Sequence, residues 1–285
     1  MSDLSLARPR AATPGLKGAW IAAPLLVVVC LFFYPLALIA RQAIIDDGGA
    51  LAFSQFVGVL HSTLFVRALI NTIEIAVSAT AACLALGLLL ALILSFVPFP
   101  GSVMVSRLID TFISLPTFLV TLAFTFIYGS AGIVNGVLQH HFGFATPPVQ
   151  FLYSMWGVIL AETTVYLPFV LRPLLASLSL IDHGQIEAAS VLGARPWRIV
   201  RQVILPATVP ALLTGGSLCL LLTVNEFGVV LFIGAKGVIT LPLLIYNKAI
   251  QESDYQAACI IAVINIALSL GLFGLYRIAA RRLGG

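Results

Sequence analysis

The sequence predicts an all-α membrane protein that crosses the bilayer six times, and three observations carry that prediction. Of its 285 residues 60% are hydrophobic and only 9% are charged, with a mean hydropathy of +1.09, whereas soluble domains carry about 25% charged residues. The few charges are spaced so that membrane-length apolar stretches lie between them. Lysine and arginine fall mostly on one side of the map those stretches define.

A helix needs about 20 apolar residues to cross about 30 Å of hydrocarbon. The charge-free gaps hold 23 residues between Lys17 and Arg41, 32 between Glu74 and Arg107, 51 between Asp110 and Glu162, 24 between Arg201 and Glu226, and 22 between Asp254 and Arg277. A span around Glu162, whose neighbours from Phe151 to Leu171 are otherwise uncharged, brings the total to six. Six spans put both termini on one side. Arg8, Arg10, Lys17, Arg107, Arg172, Arg195, Arg198, Arg201, Arg277, Arg281 and Arg282 fall on that side, and Arg41, Arg67, Lys236 and Lys248 on the other, a count of 11 to 4. The basic side is cytoplasmic by the positive-inside rule.

Residues 1–17, with Pro9, Pro14 and Gly15, are expected to form a cytoplasmic tail, followed by a six-span transmembrane domain over 18–280 and a short C-terminal tail over 281–285. Trp20 to Ala40 forms the first span. It is longer than the apolar core of a signal peptide and is read as uncleaved, with Tyr34-Pro35 bending it near its outer end. The outer loop that follows carries Asp46-Asp47-Gly48-Gly49 and a short interfacial helix near Phe53 to Leu60. Leu69 to Val97 is the second span, with Asn71 and Glu74 one turn apart at its outer end. Pro98-Phe99-Pro100-Gly101 turns the chain on the cytoplasmic side. Leu108 to Tyr128 is the third span, broken at Leu115-Pro116, and an outer loop with a short helix over Ile133 to His141 follows. Phe151 to Leu171 returns inward, with Pro168 and Pro173 near its inner end. Pro210 to about Gly234 is the fifth span, interrupted at Asn225-Glu226, and Ala257 to Ile278 is the sixth.

The net charge of +4 reports this topology, and its dispersal along membrane edges argues against nucleic-acid binding. Cys30, Cys83, Cys219 and Cys259 all fall inside spans with no close pair and read as small core residues. His61, His140, His141 and His183 lack a metal-ligand spacing, and the adjacent His140 and His141 are expected to point apart on a helix. Lys17, Lys236 and Lys248 are followed by Gly, Gly and Ala, where a phosphate-binding loop needs Ser or Thr, so the chain has no such ATP site. No catalytic set, metal site or cofactor is expected.

Charges inside a membrane cost about 2.5–3.5 kcal/mol each on insertion scales, so Glu74, Asp110, Glu162 and Glu226 each need a reason. Glu162 is the deepest in sequence and has Thr163, Thr164 and Tyr166 beside it. Asn225 and Glu226 lie opposite it in the hairpin of the fourth and fifth spans. Asn71, Glu74, Glu162, Asn225 and Glu226 either line a watery path for a polar solute or make interhelical hydrogen bonds. Asp110, near the cytoplasmic end beside Arg107, reads as a structural pair or an interface anchor.

The longest amphipathic, charge-bearing segment runs from Asp182 to Pro206. Asp182 can cap a helix over 183–192 with Gln185 completing the box, and Gly193 supplies a left-handed stop. Pro196 suits the first turn of a second short helix, and Leu205-Pro206 marks the return to apolar sequence.

Glu187-Ala188-Ala189, Gly193 and Val203-Ile204-Leu205-Pro206, at fixed spacing, resemble the coupling motif of ABC-importer membrane subunits. The stretches 108–136, 151–174 and 217–255 look like the permease of 2-aminoethylphosphonate importers, and the likeness runs from the first span to the last. This resemblance implies a type I ABC importer permease fold in a bacterial inner membrane. Its partners would be a separate ATP-binding subunit, a periplasmic solute-binding protein and a second permease subunit, either this chain again or a paralogue. Glu187, Ala188, Ala189, Gly193, Arg195, Leu205 and Pro206 would then meet the ATPase, with Arg195 standing where the family often has Ser or Thr as a cap. Permeases for polyamines, sulfate, thiamine or ferric iron share the motif. A proton-coupled secondary transporter using Glu162 and Glu226, or a purely structural scaffold, would leave the coupling segment without a partner.

Overall fold

The computed structural model describes residues 22, 24–45 and 49–283, without the side chains of His183 and of 280–283. The expected N-terminal tail, Trp20 and Asp46-Asp47-Gly48 lie outside the described residues, as do the last two residues of the expected C-terminal tail.

Among the described residues no strand forms beyond an isolated bridge between Ile45 and Leu51. Six helices are long and apolar enough to cross a membrane: Pro24–Ile44, Thr63–Phe96, Thr117–Phe142, Met155–Leu178, Pro196–Val224 and Tyr255–Ala279. The second begins where Ser62, as N-cap, accepts from the Phe65 N–H at 3.2 Å, and it runs 34 residues without a break.

Two boundaries differ from those the sequence predicts, while the interruption expected at Asn225-Glu226 is present. The expected third span straddles two helices, Ser102–Ser114 and Thr117–Tyr128, which meet at Leu115-Pro116. Apolar length continues past Gly129 through Ile133–Phe142, so the span-length window lies further along the chain. The fifth span begins well before Pro210. Pro196–Ile199 passes through a π-turn at Val200–Ile204 into Leu205–Val224, so Leu205-Pro206 is no boundary and the expected second short helix is the foot of a long one. A π-turn ahead of Pro206 widens the ladder where the proline ring would otherwise strike the preceding turn. The fifth helix ends at Val224, and a separate short helix, Gly228–Ile233, follows the break at 225–227.

The second, fourth and fifth spans pack most closely on one another, while the first packs on the sixth at the periphery. With no hydrophobic drive between helices in lipid, small residues let backbones approach. A Cβ on Gly215 would lie 2.9 Å from the Val170 Cα, and one on Gly87 would lie 2.9 Å from a Val170 methyl. Val170 of the fourth span is thus clasped from both sides.

Two apolar clusters stack along this three-helix core. One holds Val165, Val170, Leu171, Leu174, Leu178, Ile199 and Ile204, and the other Ile75, Ala79, Leu152, Val158, Val229 and Ile233. Many large apolar side chains face outward, as a lipid solvent requires; within the apolar window of the first span none is buried.

Candidate functional site

Two regions carry the polar chemistry: the segment between the fourth and fifth spans, and a buried cluster where the two apolar layers meet.

The first region starts at Asp182, whose carboxylate accepts from the Gly184 N–H at 2.9 Å and caps the helix His183–Val191. The reciprocal bond expected from Gln185 does not form: its backbone N–H donates to the Asp182 carbonyl at 3.0 Å, and the cap is single-sided. The helix ends as expected, with Gly193 at φ +78°. The Gly193 N–H donates to Ser190 O and the Ala194 N–H to Ala189 O, both at 3.0 Å, the pair of bonds that defines a Schellman stop. Ala189 and Ala194 pack with Ile186 onto the inner cluster, which fixes the helix to the bundle while Glu187 and Ala188 stay exposed. Arg195 precedes the next helix without a side-chain cap, and its carbonyl accepts from the Arg198 N–H at 2.8 Å. Leu205 is half-buried and Pro206 exposed, both inside the continuous fifth helix.

Beside the motif lie three apolar side chains absent from the sequence-based site: Val191, Leu192 and Trp197, exposed by 88%, 87% and 72%. They project from the segment that holds the coupling motif and not from the middle of a span. In an apolar chain such residues give no contrast, so only the structure singles them out.

The second region is centred on two carboxylates. Glu162 is 1% exposed and Glu226 7% exposed, and Tyr166, one turn along the fourth span from Glu162, bonds Glu226. The Tyr166 hydroxyl donates to Glu226 Oε2 in a short contact, and the Val229 N–H donates to Glu226 Oε1 at 2.8 Å. Glu226 therefore holds the break after the fifth helix, tying the start of Gly228–Ile233 to the fourth span. Glu162 Oε2 has no hydrogen-bond partner among the described residues. Leaving a buried acceptor unpaired costs roughly 1–3 kcal/mol, an expense concentrated where the two apolar layers meet.

The other expected path residues do not join this pair. Asn225 is exposed and turns to the sixth span, where the Asn265 amide donates to Asn225 Oδ1 at 3.0 Å and Asn225 Nδ2 donates to Ser269 Oγ at 3.2 Å. Asn71 Nδ2 donates to Ile239 O at 3.0 Å, and the adjacent Thr72 hydroxyl accepts from the Leu241 N–H at 2.8 Å, so the second span anchors the segment entering Leu241–Tyr246. Glu74 is exposed.

Two pairings depart from expectation. Asp110 pairs with Arg172 of the fourth span, and not with Arg107; both side chains are about two-fifths exposed, so the pair adds little stability. Cys83 and Cys219 are wholly buried small side chains of the second and fifth spans, and the Cys83 thiol donates to Thr163 O at 3.5 Å. The His140 and His141 rings do not point apart but meet edge to face, 5.3 Å between centroids.

A bundle of six spans with a capped, exposed helix projecting between the fourth and fifth is the fold that ABC-importer membrane subunits share. The family described as binding-protein-dependent transport system inner membrane component matches residues 83–285, and this chain belongs to it. It is a multi-pass inner-membrane transport subunit, not an enzyme, and its family works with an ATP-binding subunit and a periplasmic binding protein. More particularly, it is 62% identical over 265 residues to a 2-aminoethylphosphonate transport system permease protein, PhnU, of Salmonella typhimurium strain LT2, covering 93% of each chain. It is 32% identical over 191 residues to a sulfate transport system permease, cysT, of Prototheca wickerhamii, covering 65% of this chain and 71% of that one. Its fold matches a bacterial ABC transporter that imports alginate, with a TM-score of 0.82 at 19% identity over 95% of this chain and 96% of the other. It matches the methionine transporter MetNI less closely, with a TM-score of 0.55 at 23% identity, covering 78% of this chain and 94% of the other.

Proposed function

We propose that this chain is the permease subunit through which an ABC importer moves 2-aminoethylphosphonate across a bacterial inner membrane. Both termini are cytoplasmic, and the 182–206 segment docks into a cleft of the ATP-binding subunit. A second permease subunit, another copy or a paralogue, completes the path. The observation that carries the solute is the 62% identity to the phosphonate permease, against 32% to the sulfate permease.

The docking face is the exposed Glu187-Ala188 edge flanked by Val191, Leu192 and Trp197. Burying large apolar groups there favours association by about 25 cal/mol for each Å² removed from water, and the alanines let the partner approach closely. Closure of the ATP-binding subunits moves this face. Because the segment continues without a break from Pro196 to Val224, 29 residues, displacement at its foot is carried over about 43 Å of helix. It arrives at the break held by Glu226 and Tyr166, opening the path outward to receive solute from the binding protein. Glu162 and Glu226 are the polar groups the moving solute passes, and Asn71, Glu74 and Asn225 set the frame of the outer half.

Reconstitution of this chain with its ATP-binding subunit and binding protein, followed by uptake of labelled 2-aminoethylphosphonate in competition with sulfate, tests the proposal. ATP-dependent uptake that unlabelled 2-aminoethylphosphonate suppresses and sulfate leaves unchanged is expected. Suppression by sulfate alone would transfer the assignment to the sulfate branch. Uptake driven by a proton gradient without ATP would remove the coupling role.

A further inference from the structure

A cavity of about 510 Å³ lies among the loops that the topology puts at the outer face, lined by Ser130, Gln150, Tyr153, Gly234 and Lys236. Its chemistry is one-sided. Ser130, Tyr153 and Lys236 give its lining two hydroxyls and one ammonium group, the Gln150 amide is already donated to Pro147 O at 3.0 Å, and no acidic residue is among the lining residues. Lys236 is exposed and forms no ion pair among the described residues. The other outer lysine differs: Lys248 Nζ lies 2.6 Å from Glu252 and 3.9 Å from Asp254, and its charge is met within the chain.

The walls are held by a buried strut. Asn135 is wholly buried; its Nδ2 donates to Gly129 O and to Val149 O, both at 2.8 Å, and its Oδ1 accepts from the Val149 N–H at 2.9 Å. Ser130 and Gln150, each one residue beyond these tethers, are thereby kept at a set separation. Gly129 lets the third wall close: a Cβ there would lie 3.1 Å from the Tyr153 hydroxyl. Lys236 stands between Gly234 at φ +60° and Gly237 at φ +76°, with buried Ala235 pinning the loop beside it. Two hydroxyls and one unpaired cation on tethered backbone suit a tetrahedral oxyanion.

We infer that this cavity is a reception site for the phosphonate head of the solute, occupied between release from the binding protein and entry to the path at Glu226. The inference rests on the solute reading above for its cargo, but the site is judged by its own ligand chemistry. A phospholipid headgroup offers the same oxyanion, so the test separates the two sources.

The assembled transporter, without binding protein, is placed in phosphatidylcholine nanodiscs, and saturation-transfer NMR reads binding of methylphosphonate and, separately, of ethylammonium. Methylphosphonate is expected to bind and ethylammonium not to. Loss of the charge in Lys236→Gln should weaken methylphosphonate binding about tenfold, the weight of one charge-assisted hydrogen bond, and Lys236→Arg should restore it. Tyr153→Phe, which removes only a hydroxyl, should weaken it by a smaller factor without altering assembly. Equal binding in wild type and Lys236→Gln overturns the inference, as does ethylammonium binding without methylphosphonate. Loss of the methylphosphonate signal when phosphatidylglycerol is added assigns the cavity to lipid and overturns it too. A transporter that carries a different solute yet keeps the Lys236-dependent methylphosphonate signal retains the site and sinks only the solute assignment.

Discussion

Replacing Gly193 isolates the backbone of the coupling segment from every other effect. Its φ of +78° lies in the left-handed region, and nothing stands within 4 Å of where a Cβ would be built, so a larger side chain meets no clash. The cost is backbone strain, roughly 1–3 kcal/mol for a residue other than glycine and greatest for a β-branched one. The chain can escape only by giving up the Gly193-to-Ser190 and Ala194-to-Ala189 bonds, at about 1 kcal/mol each. Either route costs about 2 kcal/mol for Gly193→Val, which is about a 30-fold shift away from the docked geometry. Gly193→Ala, at about 1 kcal/mol, should shift it about fivefold, and Gly193→Asn, which tolerates the left-handed region, should stay near wild type. The assay is reconstitution with the ATP-binding subunit and binding protein, reading uptake and binding-protein-stimulated hydrolysis together. The six spans should insert normally in all three variants while uptake falls in the order Asn, Ala, Val. Normal coupled uptake by Gly193→Val would refute the claim that this turn sets the docking geometry.

Glu162→Gln and Glu226→Gln should each reduce uptake more than they reduce recovery of the assembled complex; failure of both to assemble would make the carboxylates structural instead. Tyr166→Phe removes the bond to Glu226 and should cost about 1.5–3 kcal/mol, read as a lowered melting temperature in detergent, with no further loss when combined with Glu226→Gln. Gly215→Val drives a side chain into the Val170 backbone and should destabilise the bundle by about 1–3 kcal/mol, measured the same way, whereas Gly271→Ala, in a helix with open space around it, should leave the packing intact. With cysteines introduced at 198 and 236, impermeant thiol reagents should label 198 only from the cytoplasmic side and 236 only from outside; the reverse would invert the topology.

Six spans were legible because membrane partition is decided along one dimension: each helix satisfies its own backbone, and a gap between charges is enough to find it. The turn at Gly193 was legible for a related reason, since its hydrogen bonds join residues three to five apart. Prolines misled where local geometry could adjust. Leu205-Pro206 looked like an end, yet the π-turn at Val200–Ile204 lets the helix run through it. Pairings across the bundle left no local mark. Asp110 meets Arg172 only because the helix Ser102–Ser114 packs on the fourth span, and no spacing along the chain encodes that. Asn265 and Ser269, one turn apart in the last span, were a readable polar stripe, but their partner Asn225 emerges only from packing.

The break after the fifth span explains why its two polar residues part company. Asn225 and Glu226 are adjacent, so in a continued helix they would project about 100° apart on the same cylinder. Ending the helix at Val224 lets Asn225 bond the sixth span while Glu226 bonds Tyr166 of the fourth and caps Gly228–Ile233. One irregular turn thus joins three elements through side-chain hydrogen bonds, set beside the apolar packing of Val229 and Ile233. Irregular backbone at membrane depth survives only where protein or an aqueous cavity satisfies it. A short set of polar bonds is also what a hinge needs, because such bonds can exchange partners while apolar clusters on either side stay intact. The rigid fifth helix ends at this turn and begins beside Gly193, so its two ends are the docking geometry and the polar latch.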